Sequence, residues 1–211
     1  MRRKILLLLL LFPVLFVHAQ YAGYKILTDA NDFKTKFAAA SQKTNTIKSD
    51  FVQEKELSML SEKIVSKGKF WFKRENAVRM EYTTPFQYLM IINNGKIYIK
   101  DSQKENKISA KSNKLFEQIN KIMTDCINGS ALSNPDFTTK IFEGNDAYLV
   151  ELSPVNKSLK GLFKNINLII GKKDYAVSKI EMHEPSGDNT IISYLNREMN
   201  INLPDALFAI N

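Results

Sequence analysis

Between Ser66 and Asp101 the chain reads SKGKFWFKRENAVRMEYTTPFQYLMIINNGKIYIKD, and this alternation constrains the fold more than any other stretch. Gly68, Phe70, Phe72 and Arg74 share one parity, while Lys67, Lys69, Trp71 and Lys73 share the other. Successive side chains of a strand point to opposite faces, so the run presents one apolar face and one basic face. Val78, Met80 and Tyr82 repeat the pattern opposite Arg79 and Glu81, and Thr84-Pro85 ends it. Tyr88 to Ile92 is apolar at both parities, as in a strand covered on both sides. Asn94-Gly95 is the strongest short hairpin signal, and Ile97 to Ile99 returns along the preceding strand. An ionised guanidinium inside an apolar face is costly unless it is paired and hydrogen-bonded. Arg74 therefore either stands at the rim in water or meets carbonyls of another element, for which the adjacent helix is a natural candidate.

The flanking chain extends this sheet. Asp29 is placed to cap a helix whose Phe33, Phe37 and Ala40 recur at helical spacing, with Asp32 in the acidic first turn. Ile47, Ser49, Phe51 and Gln53 alternate with Lys48, Asp50, Val52 and Glu54, and 56–62 reads as a polar gap. Polarity rises through 102–112. A second helix follows, with Leu115, Phe116, Ile119, Ile122, Met123 and Cys126 on one stripe, Ser112 as cap and Gly129 as terminator. Such a stripe suits an ordinary packed helix and equally a helix covering a cavity. Phe137 to Glu143 and Ala147 to Leu152 form one hairpin, and Ile166 to Ile170 and Tyr175 to Met182 another. Thr190 to Leu195 is a further strand, after the Pro185 to Asp188 turn. The expectation is a mainly β (α+β) chain: one large antiparallel sheet with two helices, which must curl, close or split to protect its edges.

The N-terminus sets the compartment. Arg2, Arg3 and Lys4 precede an apolar run from Ile5 to Val17, and Val17-His18-Ala19 supplies a cleavage signature, so 1–19 is expected to be a cleaved signal peptide and 20–211 a single domain. The run is short of the ~20 apolar residues that span a bilayer, so the mature chain is expected to be soluble. Position 20 is Gln20 rather than a lipid-attachment cysteine, so the chain is not expected to be a lipoprotein itself. Removing the three basic residues takes the formal charge from +8 to +5, with Lys and Glu interspersed, which does not make the dense basic stripe of a nucleic-acid reader. With Cys126 alone there is no internal disulfide, and stability must come from a core, for which about 190 residues suffice.

Catalytic signatures are scarce. Once His18 leaves, His183 is the remaining histidine, and it reads as surface decoration beside a turn; Cys126 reads as an inert buried thiol. There is no nucleophile elbow, clustered metal-ligand set or phosphate-binding glycine loop, and scattered carboxylates such as Glu54, Glu81 and Glu151 have no telling spacing. An enzyme is not expected. What remains is a surplus of large, flexible apolar residues on one side of a curled sheet, namely Phe51, Phe70, Phe72, Val78, Met80, Tyr82, Met90 and Ile92. They would serve as a plain core or as the lining of a cavity.

Several ordered motifs carry a resemblance. Ile47-Lys48-Ser49-Asp50-Phe51-Val52-Gln53, with its Phe-x-Gln, and Gly68-Lys69-Phe70-Trp71-Phe72-Lys73-Arg74 resemble the first strands of the periplasmic outer-membrane lipoprotein carriers, the LolA-like family. Tyr82-Thr83-Thr84-Pro85 followed by Asn94-Gly95-Lys96, and later Leu152-Ser153-Pro154, are similar to that family's subsequent motifs. The chain departs from it at Glu75, where the family usually has Pro, and in a strand after Gly95 that is one residue shorter. The resemblance implies an unclosed β-barrel covered by helices, without cofactor, metal or catalytic residues. It implies an acyl-binding interior formed by the eight apolar residues above, a lid carrying Leu115, Phe116, Ile119, Ile122 and Met123, and Arg74 as the latch that holds the lid through backbone hydrogen bonds. The implied partners are acylated lipoproteins, an inner-membrane lipoprotein release complex, and an outer-membrane acceptor or the outer membrane itself, served by a monomeric periplasmic carrier without nucleic acid. Two other expectations stand beside it: an envelope lipid-sensing or interaction module on the same fold, and, more weakly, a lipid-modifying enzyme using His183.

Overall fold

A computed structural model describes residues 21–60, 62–101, 105–109, 121–122, 124–127 and 129–210. Its strands are β1 (Lys25–Ile26), β2 (Thr46–Leu57), β3 (Glu62–Lys73), β4 (Ala77–Thr84), β5 (Tyr88–Asn93), β6 (Lys96–Asp101), β7 (Glu105–Ser109), β8 (Phe137–Glu143), β9 (Ala147–Pro154), β10 (Asn165–Gly171), β11 (Val177–His183) and β12 (Asn189–Met199). They form one antiparallel sheet in the order β1-β8-β9-β10-β11-β12-β2-β3-β4-β5-β6-β7, open between its two ends. The fold is mainly β, an unclosed barrel with helices against it. Helix α1 (Asn31–Lys43) buries Phe33, Phe37 and Ser41 at four-residue spacing. Phe33 and Phe37 stack at 5.8 Å, and Phe33 lies 4.4 Å from the Tyr148 ring.

Parity places the apolar faces as the alternation requires. Phe70, Met80 and Met90 are consecutive cross-strand partners, as are Phe72, Val78 and Ile92. The Asn94-Gly95 turn has both residues at positive φ, 48° and 71°, the geometry of a two-residue hairpin. Gly68 is needed for a different reason: a Cβ there would collide with the Glu81 carbonyl and lie 2.7 Å from the Phe51 ring. Two clusters fill the inner face. One, beneath α1, joins Phe33, Phe37, Ile122 and Cys126 to Leu152, Ile166 and their neighbours. The other is built on Phe51, Phe70, Phe72, Val78 and Ile97. On the outer face, Leu203 and Phe208 of the C-terminal tail pack against Ala77 and Trp71.

Several expectations are corrected. The supposed gap at 56–62 is the tip of a long hairpin, because β2 runs to Leu57 and β3 begins at Glu62; the projecting part needs no apolar alternation, having little to cover. Within the stretch of rising polarity, Glu105–Ser109 is an edge strand on β6, and edge strands tolerate polar sequence. β12 continues to Met199 past an irregularity at Leu195/Glu198, and Tyr175, at φ 53°, belongs to a turn rather than to β11. Ala30 rather than Asp29 is the N-cap, while the Asp29 carboxylate accepts the Asn31 N–H at 3.1 Å from one position earlier. Beyond the two expected helices there are a short helix at Lys157–Lys160 and 3-10 turns at Ser130–Ser133 and Asp205–Phe208. In the second expected helix, residues 121–122 and 124–127 are helical, and Gly129 has the left-handed φ of 77° suited to a helix end. Leu115, Phe116, Ile119 and Met123 lie outside the described residues, as do 1–20.

Candidate functional site

Where the two inner clusters meet, they leave space at one end of the sheet. A cavity of ≈ 390 Å³ opens between Met80, Tyr82 and Met90 on one side and Met182, Thr190 and Ile192 on the other, with Leu162 and Phe163 contributed by the loop after the short helix. The register explains this: Met182 pairs with Thr190 and Thr190 with Lys55, so β11, β12 and β2 contribute at one level. Gln53, Lys55 and Glu184 bring polar groups to the lining, with Lys55 Nζ 3.9 Å from Glu184 Oε1. The size falls within the ~300–1,000 Å³ of ordinary ligand pockets. Methionine and aromatic walls adapt to flexible apolar ligands.

The tyrosines form a connected wall. Phe51 and Tyr82 meet edge to face at 4.9 Å, and Tyr82 and Tyr88 at 5.5 Å. The Tyr82 hydroxyl donates to Gln53 Oε1 at 2.9 Å. Burial, with a smaller contribution from Tyr88, pushes the Tyr82 phenol up to about 12. Burial also raises Tyr88, so this wall is uncharged at neutral pH. A smaller space of ≈ 50 Å³ lies beneath α1, among Phe37, Ala40, Phe70, Cys126 and Tyr194. The Cys126 thiol and the Tyr194 phenol there are both driven upward by burial, so the thiol is held as the weak nucleophile of its neutral form.

The eight residues expected to form a lining come together but do not all reach the cavity. Phe51, Phe70, Phe72, Val78, Met80, Met90 and Ile92 belong to one buried cluster, with Tyr82 packed on it. Met80, Tyr82 and Met90 line the large cavity and Phe70 the small one; Phe51, Phe72, Val78 and Ile92 are packed core behind them. Of the expected lid, Ile122 is buried in the other cluster, together with Cys126. Parity in 66–101 finds the first wall, but the second was missed. Thr190 and Ile192 alternate visibly in the sequence, yet only long-range register brings them beside β2. Leu162 and Phe163 carry no periodic signal.

Arg74 follows the last residue of β3 and reaches α1. Nη2 donates to the carbonyls of Ser41 and Thr44, each at 2.6 Å, and more distantly to Gln42 at 3.4 Å; Nε donates to Thr44 at 3.0 Å. These are carbonyls at the helix C-terminus, where backbone acceptors are left over and a cation complements the dipole. Of the two placements open for Arg74, carbonyls of another element are the one observed. The acceptors belong to α1 rather than to any described residue of the second helix.

His183 is not surface decoration. It is half-buried, its ring contacting Asn189 at 2.6 Å and Asn167 at 3.2 Å, with Glu181 at 3.9 Å. The parity of β10 and β11 puts this polar group on the face opposite the cavity, since Met182 and Phe163 face inward while Glu181 and His183 do not line the space. Among the described residues there is no group of His, Cys, Asp and Glu able to hold a metal ion, and no helix long and apolar enough to cross a membrane.

Comparisons with known proteins agree with this architecture. No curated protein matches the chain. Solved structures that resemble it include an uncharacterised conserved protein of Thermus thermophilus, at TM-score 0.51 and 8% identity, covering 85% of this chain and 93% of that one. They also include the Pseudomonas aeruginosa MucA/MucB complex, at 0.50 and 13%, covering 87% and 61%. A LolA superfamily protein from Nitrosomonas europaea follows at 0.46 and 10%, covering 87% and 99%. Identities this low speak to fold alone, and only through the two structures at 0.50 and above. The family model described as outer membrane lipoprotein carrier protein LolA, however, matches residues 42–211, most of the sheet together with Arg74 and its acceptors Gln42 and Thr44, and on that match the chain belongs to the LolA family.

Proposed function

We propose that this protein is a periplasmic carrier that shields the acyl chains of lipoproteins and hands them from the inner to the outer membrane. Family membership supports a lipid- or lipoprotein-binding periplasmic protein. The observation that carries the further step is the ≈ 390 Å³ cavity walled by Met80, Met90, Met182, Tyr82 and Phe163. Residues 1–19 act as the export signal, and 20–211 form the single carrier domain.

The energetics suit such a task. Each buried methylene contributes ~0.8 kcal/mol, so a protein with more than one acyl chain stays on its membrane unless another apolar surface receives the chains. Release requires that the receiving surface have an alternative use. The α1 helix provides it: held down by Arg74, it covers the ≈ 50 Å³ space between Phe37 and Phe70, and lifting its last turn enlarges the apolar interior available to a ligand. Closure competes with the part of the cargo that extends from the cavity into this second space, so small free-energy differences move the cargo without a covalent step. An inner-membrane release complex supplies the cargo, and an outer-membrane acceptor or the outer membrane itself receives it.

The test is transfer. Membranes carrying a radiolabelled triacylated lipoprotein are incubated with the protein, and the supernatant is resolved by size. A stoichiometric complex that delivers its label to fresh outer membrane supports the carrier. Label that never leaves the donor membrane, with a release complex present, refutes it; binding without delivery replaces the carrier by a sensor.

A further inference from the structure

The end of the sheet where the cavity opens is also where large apolar side chains stand in solvent. The ladder aligns Leu152, Ile166, Met182, Thr190, Lys55 and Ile64 in one row across β9, β10, β11, β12, β2 and β3. Past that row, the β2–β3 tip exposes Met59 by 93% and Leu60 by 62%, while the return strand exposes Ile64 in the row and Val65 next to it. Phe86, in the turn after β4, is 78% exposed, and Val155 follows the end of β9. Lone exposed apolar residues need no explanation, but a gathering around one opening does. The tip is also held in place: the Ser58 N–H and hydroxyl both donate to Asp188 Oδ1 at 2.9 Å, and the hydroxyl contacts the Ser186 carbonyl at 3.0 Å. Its side chains are presented on a fixed support.

Charge at this end is unevenly placed. Glu54 and Glu56 share Lys63, Glu184 faces Lys55, and Asp188 is held by Ser58. Lys157, Lys160 and Lys164 are exposed, have no ion pair among the described residues, and flank the 161–163 segment that lines the cavity. A protruding apolar tip with such a lysine cluster at the same end has the form that enters an anionic headgroup layer. A stable protein interface needs ~800 Å² of complementary surface on each partner, which a two-residue tip does not offer.

We infer that the β2–β3 tip, Met59-Leu60, with Phe86 and the lysine cluster, docks this end of the molecule onto an anionic phospholipid bilayer. The inference rests on the carrier reading for its purpose: with the mouth seated on the bilayer, an acyl chain passes between cavity and membrane without crossing water. The surface itself stands apart from that reading.

The experiment is vesicle flotation of the protein recovered from the periplasm, with phosphatidylcholine vesicles alone and with phosphatidylglycerol added, alongside binding of a fluorescent fatty acid. Partition onto phosphatidylglycerol vesicles is expected to fall at least about tenfold in Met59→Asp/Leu60→Asp, since two aliphatic side chains lose their burial. Lys157→Ala/Lys160→Ala is expected to remove part of the salt-sensitive binding. Fatty-acid affinity should stay within about twofold in both, which also reports that they fold. Equal partition of the tip variant and the wild type, or no vesicle binding by the wild type while it binds fatty acid, overturns the docking surface alone. Vesicle binding without fatty-acid binding leaves the docking surface standing and removes the carrier reading. If a photocrosslinker at position 59 marks a membrane protein while vesicles are ignored, the tip is a protein interface and the lipid proposal fails.

Discussion

Replacing Arg74 by leucine removes the contact that ties α1 to the end of β3. The guanidinium serves two carbonyls closely, Ser41 and Thr44 at 2.6 Å from Nη2, with a second bond to Thr44 from Nε at 3.0 Å. The Gln42 contact, at 3.4 Å, adds little. A hydrogen bond to a charged group is worth ~1.5–3 kcal/mol net, and a cation at a helix C-terminus ~0.3–1 kcal/mol. Arg74 is only partly buried, and water replaces some of what is lost. Discounting for this, local opening of the last turn of α1 becomes easier by about 2–4 kcal/mol. At ~1.4 kcal/mol per factor of ten, amide exchange in the last turn of α1 accelerates about 30- to 700-fold. Phe33 and Phe37 remain buried at the other end of the helix, so the fold survives, and the loss of global stability is capped by the cost of opening that turn. On the proposed carrier reading, in which cargo extends under α1, weakening closure is expected to make Arg74→Leu hold cargo more tightly and release it more slowly. Arg74→Lys, which keeps the charge without the fork, falls between. Hydrogen exchange followed by mass spectrometry reads the result, with β9 and β10 as unchanged internal controls. Unaltered protection in α1 would show that water substitutes fully for Arg74 and that there is no latch.

Three further outcomes follow from the geometry. Leu162→Trp, placed at the cavity wall, is expected to lower fatty-acid affinity at least about tenfold with little change in urea midpoint; unchanged affinity would place the ligand elsewhere. Phe72→Ala, at a side chain with 0% exposure, should cost ~3–5 kcal/mol in urea unfolding at constant m-value, and a cost under ~1 kcal/mol would mean that this part of the cluster is not close-packed. Tyr82 supplies the pH dependence: its phenol is raised from 10.0 to about 12 in the folded protein, so its contribution to stability is complete below pH 10 and is lost as pH rises toward about 12. Ultraviolet phenolate absorbance of the native protein, compared with Tyr82→Phe, should lack an ordinary tyrosine transition at that site, and a transition near pH 10 assigned to Tyr82 would contradict its burial.

The elements that the sequence makes legible are those specified locally. Asn94-Gly95 names its own turn because both residues must take positive φ, and Phe70, Met80 and Met90 reveal a shared face because strand parity requires it. The second wall of the cavity depends on Thr190 lying beside Lys55, a pairing across most of the chain with no local sign. Leu162 and Phe163 enter from a loop, where periodicity says nothing. For Arg74 the cost of a buried charge points to carbonyl partners on an adjacent helix, but main-chain acceptors have no residue identity, so Ser41 and Thr44 in particular are not readable. Strand β7 escaped notice because Glu105–Ser109 lies at an edge, where polar residues are allowed.

The central claim is that an acyl chain occupies the cavity between Met80, Met90, Met182 and Ile192. A diacylated lipopeptide bearing a photoreactive group near the end of one chain tests it directly: it is bound, irradiated, and its attachment mapped by peptide mass spectrometry. The account predicts labels on peptides of β4, β5, β11 and β12 and at Leu162-Phe163, suppressed by excess unlabelled lipopeptide and by Leu162→Trp. Labels confined to the outer face around Trp71 or His183, or spread without competition, would contradict it.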